Sequence, residues 1–228
     1  PPPVSTGERK NSWWSGEYKW ARVYLYGNAR NPVDLEKAFR LMEKEAQSGN
    51  GFAMFDFGKM YAAGLGCQQN DEIAQRWYTS ALRSFLREEP VIRKPSYLQY
   101  RIGKMYAMGC GTERDLSAAA QWYQKADAGG NPFAAYALGS MYLRGEGVER
   151  DPERAYRYFE KAAEDPNKPN AYAAYELGRM CEEGIGTEVD PDMADYWYSA
   201  AYDGFLEIEK GHADDRLYYR LGQMNLSG

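Results

Sequence analysis

Basic side chains recur at two fixed positions of a motif that repeats along this 228-residue chain. Both positions are counted from a small residue, the anchor: one lies two residues before it and the other lies one residue after it. The six anchors are Ala21, Gly58, Gly103, Gly139, Gly178 and Gly222. The twelve flanking residues include seven basic and two acidic side chains, although the whole chain has a net charge of −5. The pairs are Lys19/Arg22, Asp56/Lys59, Arg101/Lys104, Ala137/Ser140, Glu176/Arg179 and Arg220/Gln223.

These pairs have a chemistry that suits the binding of carboxylates. Residues three apart share one face of a helix, so the two members of each pair would lie on the same side. Lys and Arg donate charge-assisted hydrogen bonds to carboxylates, which fits an acidic peptide or a peptide C-terminus. The alternative is a solvated face with ion pairs between neighbouring repeats, each of which stabilises a protein very little. The sequence leaves both interpretations open.

Residues that could carry catalysis or hold a metal ion are sparse. The one histidine, His212, has no nucleophile beside it, and the sequence contains no HExxH, GxSxG or paired CxxC motif. Cys67, Cys110 and Cys181 are odd in number and lack zinc-site spacing, which predicts reduced, partly buried thiols. We therefore predict no enzyme activity, no cofactor and no metal, and a cytoplasmic location.

The helices that position the basic pairs are indicated by the same motif. An aromatic residue lies three positions before every anchor, on the same helical face as the anchor itself. Glycine inside a helix costs about 1 kcal/mol relative to alanine, so its recurrence predicts the close approach of a neighbouring helix. The aromatic residues are Tyr18, Phe55, Tyr100, Tyr136, Tyr175 and Tyr219.

A GxG pair follows the anchor in four repeats and indicates the end of the first helix. Glycine readily adopts the left-handed conformation that ends helices, and no Lys-Ser/Thr follows that would suggest a phosphate-binding loop. An aspartate then begins a second helix, in two repeats with proline directly after it. The glycines are Gly64/Gly66, Gly109/Gly111, Gly145/Gly147 and Gly184/Gly186, and the predicted caps are Asp34, Asp71, Asp115, Asp151 and Asp190.

The second helix carries a small residue and then an aromatic pair, which we interpret as core. These pairs include Trp77-Tyr78, Trp122-Tyr123, Tyr158-Phe159 and Trp197-Tyr198. The second and fifth repeats add a matching tail, Ser84-Phe85-Leu86 and Gly204-Phe205-Leu206, and so predict longer second helices. Trp77 and Trp197 are 120 residues apart, which indicates a duplicated block of three repeats.

The run from Ala135 to Ala163, with its AYALGSMY, GEG and YFEKAA segments, resembles the Sel-like repeat family, relatives of the tetratricopeptide repeat. This resemblance covers residues 17–228. It implies an all-α fold, a right-handed α/α superhelix of antiparallel helix pairs with a concave face lined mainly by first helices. It also implies a non-enzymatic scaffold or adaptor that binds proteins.

The resemblance divides the chain into about five and a half repeats. We expect a linker or N-terminal extension over 1–16 and a solenoid over 17–228. The repeats are predicted at 17–50, 51–95, 96–132, 133–170 and 171–213, with a partial repeat at 214–228. Because the chain begins at Pro1 and ends at the first glycine of a sixth GxG, we expect it to be part of a longer protein.

In tetratricopeptide-like arrays the two positions beside the anchor tend to face the concave groove. The resemblance therefore predicts a basic groove that binds a protein or acidic peptide. Its predicted residues are Lys19, Arg22, Lys59, Arg101, Lys104, Arg179 and Arg220.

Two further roles are open alternatives. The YKWA and YLYG segments and the long-helix tail also resemble the repeat region after the nuclease portion of bacterial mobilisation relaxases. That implies an accessory nucleic-acid-binding or docking region, although the acidic net charge argues against nucleic acid and anionic membranes. An accessory role beside an envelope hydrolase is a further alternative.

Overall fold

The computed structural model describes residues 14–165 and 169–212, without the side chains of 209–212. Over these ranges all regular structure is helical, which confirms the all-α prediction. The α-helices are α1 (Gly16–Tyr26), α2 (Leu35–Gln47), α3 (Gly51–Ala63), α4 (Asp71–Glu88), α5 (Ser96–Met108), α6 (Leu116–Ala128), α7 (Pro132–Arg144), α8 (Pro152–Ala163), α9 (Ala171–Glu183) and α10 (Pro191–His212). Odd-numbered helices are the first helices of the repeats and even-numbered helices are the second.

The chain forms two compact units. Of the described residues, the first unit comprises 14–92 and Met108–Arg114, and the second comprises Arg93–Ala107, 115–165 and 169–212. In the first unit α1 packs on α2, α2 on α3 and α3 on α4. In the second unit α6 to α10 pack in the same consecutive way. Helix pairs therefore stack in chain order within each unit, as the repeat pattern predicts.

The second helices begin with the predicted aspartate caps, with one exception. The Asp34, Asp115, Asp151 and Asp190 side chains each accept a hydrogen bond from the N–H three residues further on.

The prediction for Asp71 is wrong. Asn70 caps α4 by accepting a hydrogen bond from Ile73 N at 2.9 Å, and Asp71 is the first helical residue. Asn70 lies six residues after Gly64, the same spacing that separates Asp115 from Gly109. The loop between the first glycine and the cap therefore has the same length in both repeats. Asparagine can act as the cap because its side-chain oxygen accepts the same hydrogen bond as an aspartate.

Removal of the α8 cap should have a moderate effect on stability. We expect Asp151→Ala to lower the free energy of unfolding by about 1 kcal/mol, because the N–H of Arg154 loses its acceptor. Glu153→Ala is the control, since Glu153 makes only an exposed ion pair with Arg157 one turn away. Its cost should stay below about 0.5 kcal/mol in urea unfolding. Equal losses for the two variants would contradict the capping role.

The anchor glycines make room for an aromatic ring of the second helix in the same repeat. A Cβ added at Gly139 would lie 2.7 Å from the ring of Phe159, and one added at Gly58 would lie 2.7 Å from the ring of Tyr78. Gly103 and Gly178 are as close to Tyr123 and Tyr198. The predicted close approach is confirmed, and its partner is a side chain of the second helix.

The second glycine of each GxG lies against the backbone of the preceding second helix. A Cβ added at Gly147 would lie 2.3 Å from Leu116 O, and one at Gly186 would lie 2.3 Å from Pro152 O. Leu116 and Pro152 are the first residues of α6 and α8. The GxG therefore has two roles. It ends the first helix, and its second glycine packs against the second helix of the preceding repeat.

The GxG after α5 packs against a different part of the preceding second helix, α4. A Cβ at Gly111 would lie 2.3 Å from Tyr78 C, about two turns into α4 rather than at its start. Gln75 Oε1 accepts a hydrogen bond from Gly111 N at 2.8 Å, and Thr79 Oγ1 donates to Gly111 O at 3.1 Å. This shifted register accompanies the predicted extension of α4, which has 18 residues against 13 in α2.

Candidate partner-binding surface

In the first unit, α1 and α3 bring together the predicted residues of the first two repeats. Lys19 and Lys59 are exposed, Arg22 is half-buried and Asp56 is only 4% exposed. Arg22 Nε lies 3.7 Å from Asp56 Oδ2, and Lys59 Nζ lies 4.0 Å from Asp56 Oδ1. Asp56 thus joins cations of neighbouring repeats, as the ion-pair interpretation expects. Two cations thus lie near one carboxylate, and Lys19 is exposed on the same helix as Arg22.

Arg22 lies between two aromatic rings. Its guanidinium carbon is 5.4 Å from the centroid of Trp14 and 5.6 Å from that of Tyr26. Lys59 Nζ donates a hydrogen bond to Tyr26 Oη at 2.9 Å and lies 5.5 Å from the Tyr26 centroid. Trp14 and Tyr26 are 41% and 44% exposed. Cation–π attraction holds Arg22, and the hydrogen bond to Tyr26 holds Lys59, on a ring-lined, solvent-accessible surface. Trp14, Arg22, Tyr26, Asp56 and Lys59 together form the Arg22 cluster.

The base of the Arg22 cluster is buried. Tyr18 Oη donates a hydrogen bond to Asp56 Oδ2 at 2.8 Å. A buried carboxylate is costly unless it is hydrogen-bonded and paired, and Tyr18 supplies the bond that the two distant cations do not. Arg22 Nε is itself buried and makes no hydrogen bond to any described residue. The cluster thus holds a guanidinium whose hydrogen-bonding capacity is not used within the described chain.

The sequence analysis missed Trp14 and Tyr26 as members of this surface. Their signal is the spacing around Arg22, because Trp14, Tyr18, Arg22 and Tyr26 follow one another at intervals of four residues. Residues four apart form one ridge of a helix, so Tyr18, Arg22 and Tyr26 share a ridge of α1, and Trp14 continues the spacing just before the Ser15 cap. Alignment on the anchors considered offsets of up to three residues and passed over it.

In the second unit the predicted residues that the structure describes are all partly buried. Arg101 and Lys104 on α5 are half-buried, and so is Arg179 on α9. Arg179 Nη2 lies 2.9 Å from Glu176 Oε2 in the same helix. Arg179 is therefore neutralised within α9. Arg220 lies outside the described residues, and a single groove that includes residues of both units stays a prediction.

The repeats match a known family along most of their length. The family model described as Sel1 repeat matches residues 14–50, 51–84, 96–131, 132–167 and 171–204, which together span well over half of the chain. The chain belongs to the Sel1 repeat family. The Sel-like resemblance is thereby confirmed, whereas the resemblance to relaxase repeat regions stays a prediction.

Two solved structures show how the Sel1 repeats of this chain compare with others. The chain is 26% identical to the Sel1 repeat protein from Oxalobacter formigenes, covering 82% of this chain and 72% of that one with a TM-score of 0.59. It is 22% identical to c5321, described as a protective antigen of uropathogenic Escherichia coli with an SLR fold. That match has a TM-score of 0.50 and covers 91% of this chain but 53% of c5321, so it spans about half the length of that protein. A comparison with curated proteins found no match.

Sel1 repeats generally act as non-enzymatic scaffolds that mediate protein–protein interactions. The family thus confirms the predicted class of function, while the groove and the identity of the partner stay predictions. Over the described residues no helix combines the length and apolar character that a membrane span requires. Within the same residues no cluster of His, Cys, Asp and Glu side chains could hold a metal ion.

The aromatic pairs of the Sel1 second helices belong to the core, as predicted. One member of each pair is buried, namely Tyr78, Tyr123, Phe159 and Trp197, whereas its neighbour is only half-buried. Burial raises the pKa of the Tyr78 and Tyr123 hydroxyls above the usual value, so both side chains stay neutral at physiological pH. These residues support the fold and leave the first helices as the candidate binding face.

The cysteines are structural thiols, again as predicted. Cys110 and Cys181 are buried and Cys67 is half-buried, and no disulfide joins any of them to another described residue. Burial raises the pKa of the Cys67 thiol, which disfavours the reactive thiolate. The Tyr156 hydroxyl lies 3.7 Å from Cys181 Sγ. The pKa of Tyr156 is raised to about 12, mainly by burial and to a smaller extent by this contact. The side chain of His212 lies outside the described part of the chain.

Proposed function

We propose that this Sel1 repeat chain is a non-enzymatic scaffold that binds an acidic segment of a partner protein through the faces of its first helices. The observation that carries the proposal is the excess of positive charge on α1 and α3 beside exposed aromatic rings. A surface of this composition attracts carboxylates, and Trp, Tyr and Arg are the residues enriched where protein interfaces have their binding energy.

The second helices differ in a way that supports this assignment. Several of their exposed arginines, among them Arg76 and Arg157, pair with a glutamate one turn earlier in the same helix. Arg76 Nη2 lies 2.7 Å from Glu72 Oε1, and Arg157 Nη2 lies 3.8 Å from Glu153 Oε2. The outer charges are thus largely neutralised within each helix, whereas the first helices of the first unit keep a surplus of cations.

Site-specific photocrosslinking in cells of the source organism tests the proposal. A photoreactive phenylalanine derivative is placed at Lys19 or Ala137 on first helices, and at Arg76 or Arg157 on second helices. We expect protein adducts from the first-helix positions and few from the second-helix positions. Equal adduct yields from both sets would contradict the proposal.

Charge reversal on the same background tests the electrostatic part. Lys59→Glu, Arg101→Glu and Lys104→Glu, combined in one variant, should reduce the adduct yield by about tenfold, since attraction to carboxylates becomes repulsion. The remaining binding should depend less on salt. Circular dichroism of the variant verifies that it folds. An unchanged yield from a folded variant would reject a basic binding face.

The nucleic-acid alternative rests on the same rings and cations, because a basic face with aromatic side chains can also stack bases. Salt-dependent binding of single-stranded DNA would distinguish it from the protein scaffold.

A further inference from the structure

We propose that Arg22 is the carboxylate-binding residue of the first unit and that it receives an acidic side chain from a glutamate- or aspartate-rich segment of the partner. This inference rests on the proposed scaffold function and names the group that would give it specificity. The site consists of the Arg22 cluster on α1 and α3, with Lys19 beside it on α1.

The first argument is preorganisation of the guanidinium. The Trp14 and Tyr26 rings lie on either side of it at 5.4 and 5.6 Å, and the buried Asp56 lies 3.7 Å from its Nε atom. A free arginine side chain loses considerable conformational entropy when it is fixed in a complex. Here the rings and Asp56 restrict Arg22 before any ligand arrives, so less entropy is lost on binding.

The second argument is unused hydrogen-bonding capacity. The 3.7 Å separation from Asp56 exceeds the length of a hydrogen bond, and Arg22 makes no hydrogen bond to the described residues. Its side chain is still 37% exposed. Arg76 differs, because its Nη2 atom already donates to Glu72 one turn away. A planar guanidinium that is ion-paired but makes no hydrogen bond within the described residues can still bind a carboxylate, which accepts two parallel N–H bonds from it.

The third argument concerns the kind of carboxylate. Lys19 lies three residues before Arg22 on α1 and is exposed, and Lys59 is exposed on α3. A face with three cations suits a segment with several acidic side chains better than a single terminal carboxylate. The exposed rings of Trp14 and Tyr26 can also contact the methylene groups of glutamate. Because the whole chain has a net charge of −5, a polyanion would be drawn to this face and not to the protein in general.

A purely structural role is the competing explanation, in which Arg22 only compensates the charge of Asp56. Two substitutions separate the roles. Arg22→Lys keeps the positive charge near Asp56 but loses the planar fork and its stacking between the rings. Arg22→Gln removes the charge as well. If Arg22 is only structural, Arg22→Lys should leave binding of an acidic peptide unchanged.

The experiment measures binding of two fluorescein-labelled peptides with blocked termini, hexaglutamate and hexaglutamine, to the full 228-residue chain. Fluorescence anisotropy at low salt should give a Kd below about 1 mM for hexaglutamate and no saturation for hexaglutamine. Arg22→Gln should weaken hexaglutamate binding by about tenfold or more, and Arg22→Lys by at least about threefold. The matched control Arg76→Gln removes an exposed arginine from the same unit and should change Kd by less than about twofold.

Three results would overturn the proposal. Hexaglutamate fails to bind, or binds as well to both folded Arg22 variants as to the parent chain. Alternatively, labelled twelve-residue oligothymidylate binds in an Arg22-dependent manner while hexaglutamate does not, which assigns the face to nucleic acid. Photocrosslinking from Lys19 and Ala137 tests the scaffold function separately. Adducts that persist in Arg22→Gln would contradict the role of Arg22 but would still support the scaffold function. Thermal unfolding by circular dichroism confirms that each variant is folded.

Discussion

Replacing Gly147 with alanine should lower the free energy of unfolding by about 4 kcal/mol. The residue has φ of +72°, where an L side chain costs about 1–3 kcal/mol. The new Cβ would also lie 2.3 Å from Leu116 O and 2.4 Å from Leu116 C. These are backbone atoms of a helix, which cannot rotate away as a side chain can, so overpacking adds a further cost of about 1–3 kcal/mol. Urea unfolding of the full chain, followed by circular dichroism, measures the loss.

Gly130 provides the matched control within the same unit. Its φ is +77°, but no atom lies within 4 Å of a Cβ added there. Gly130→Ala therefore measures the cost of the left-handed conformation alone and should lose only about 1–2 kcal/mol. Similar losses for the two variants would show that the contact with α6 contributes nothing. Gly186→Ala, which meets Pro152 O at 2.3 Å, should behave like Gly147→Ala.

The GxG glycines show which part of the fold the sequence could predict. The ends of the helices depend on the conformational preference of glycine itself, so four GxG pairs were enough to place them. The contact of Gly147 with Leu116 joins residues 31 positions apart, and the local spacing of residues does not predict it. The shifted contact of Gly111 with α4 could not be predicted from the sequence either, because it depends on how a longer helix packs.

The binding face was predictable to a similar degree. Helical periodicity placed Lys19 and Arg22 on one face, and the structure brings Arg22 and Lys59 together at Asp56. The burial of Asp56 could not be foreseen, because an aspartate beside a lysine in a helix is typical of solvated surface. Its location follows from the contact with Tyr18 in the neighbouring repeat, which is again a long-range effect.

The choice of caps adds a smaller lesson about residue type. The prediction placed the cap of α4 one residue too late, because it chose the aspartate Asp71 over Asn70, which keeps the six-residue spacing after Gly64. Asparagine and aspartate cap helices about equally well, so position decides between them. The first helices α3, α7 and α9 likewise begin after asparagine caps, at Asn50, Asn131 and Asn170.

The pairing of an anchor with its aromatic ring leads to a second large effect. Gly139→Ala should lower the free energy of unfolding by about 2 kcal/mol, although alanine favours a helix over glycine by about 1 kcal/mol. The reason is that three ring atoms of the fully buried Phe159 lie 2.7–3.0 Å from the added Cβ. Gly16→Ala is the control, because no atom lies within 4 Å of that position. It should be neutral or slightly stabilising.

The first repeat shows how the clash can be relieved. There alanine, Ala21, occupies the anchor position, and the second helix carries Met42 where the later repeats carry a ring. Methionine is flexible enough to make room for a methyl group. Phe159→Met alone should cost about 1.5 kcal/mol, since a buried ring leaves part of its space unfilled. Combined with Gly139→Ala it should cost less than the sum of the single losses, by at least about 1 kcal/mol. Strict additivity in this double-mutant cycle would mean that the glycine is kept for a reason other than the ring it faces.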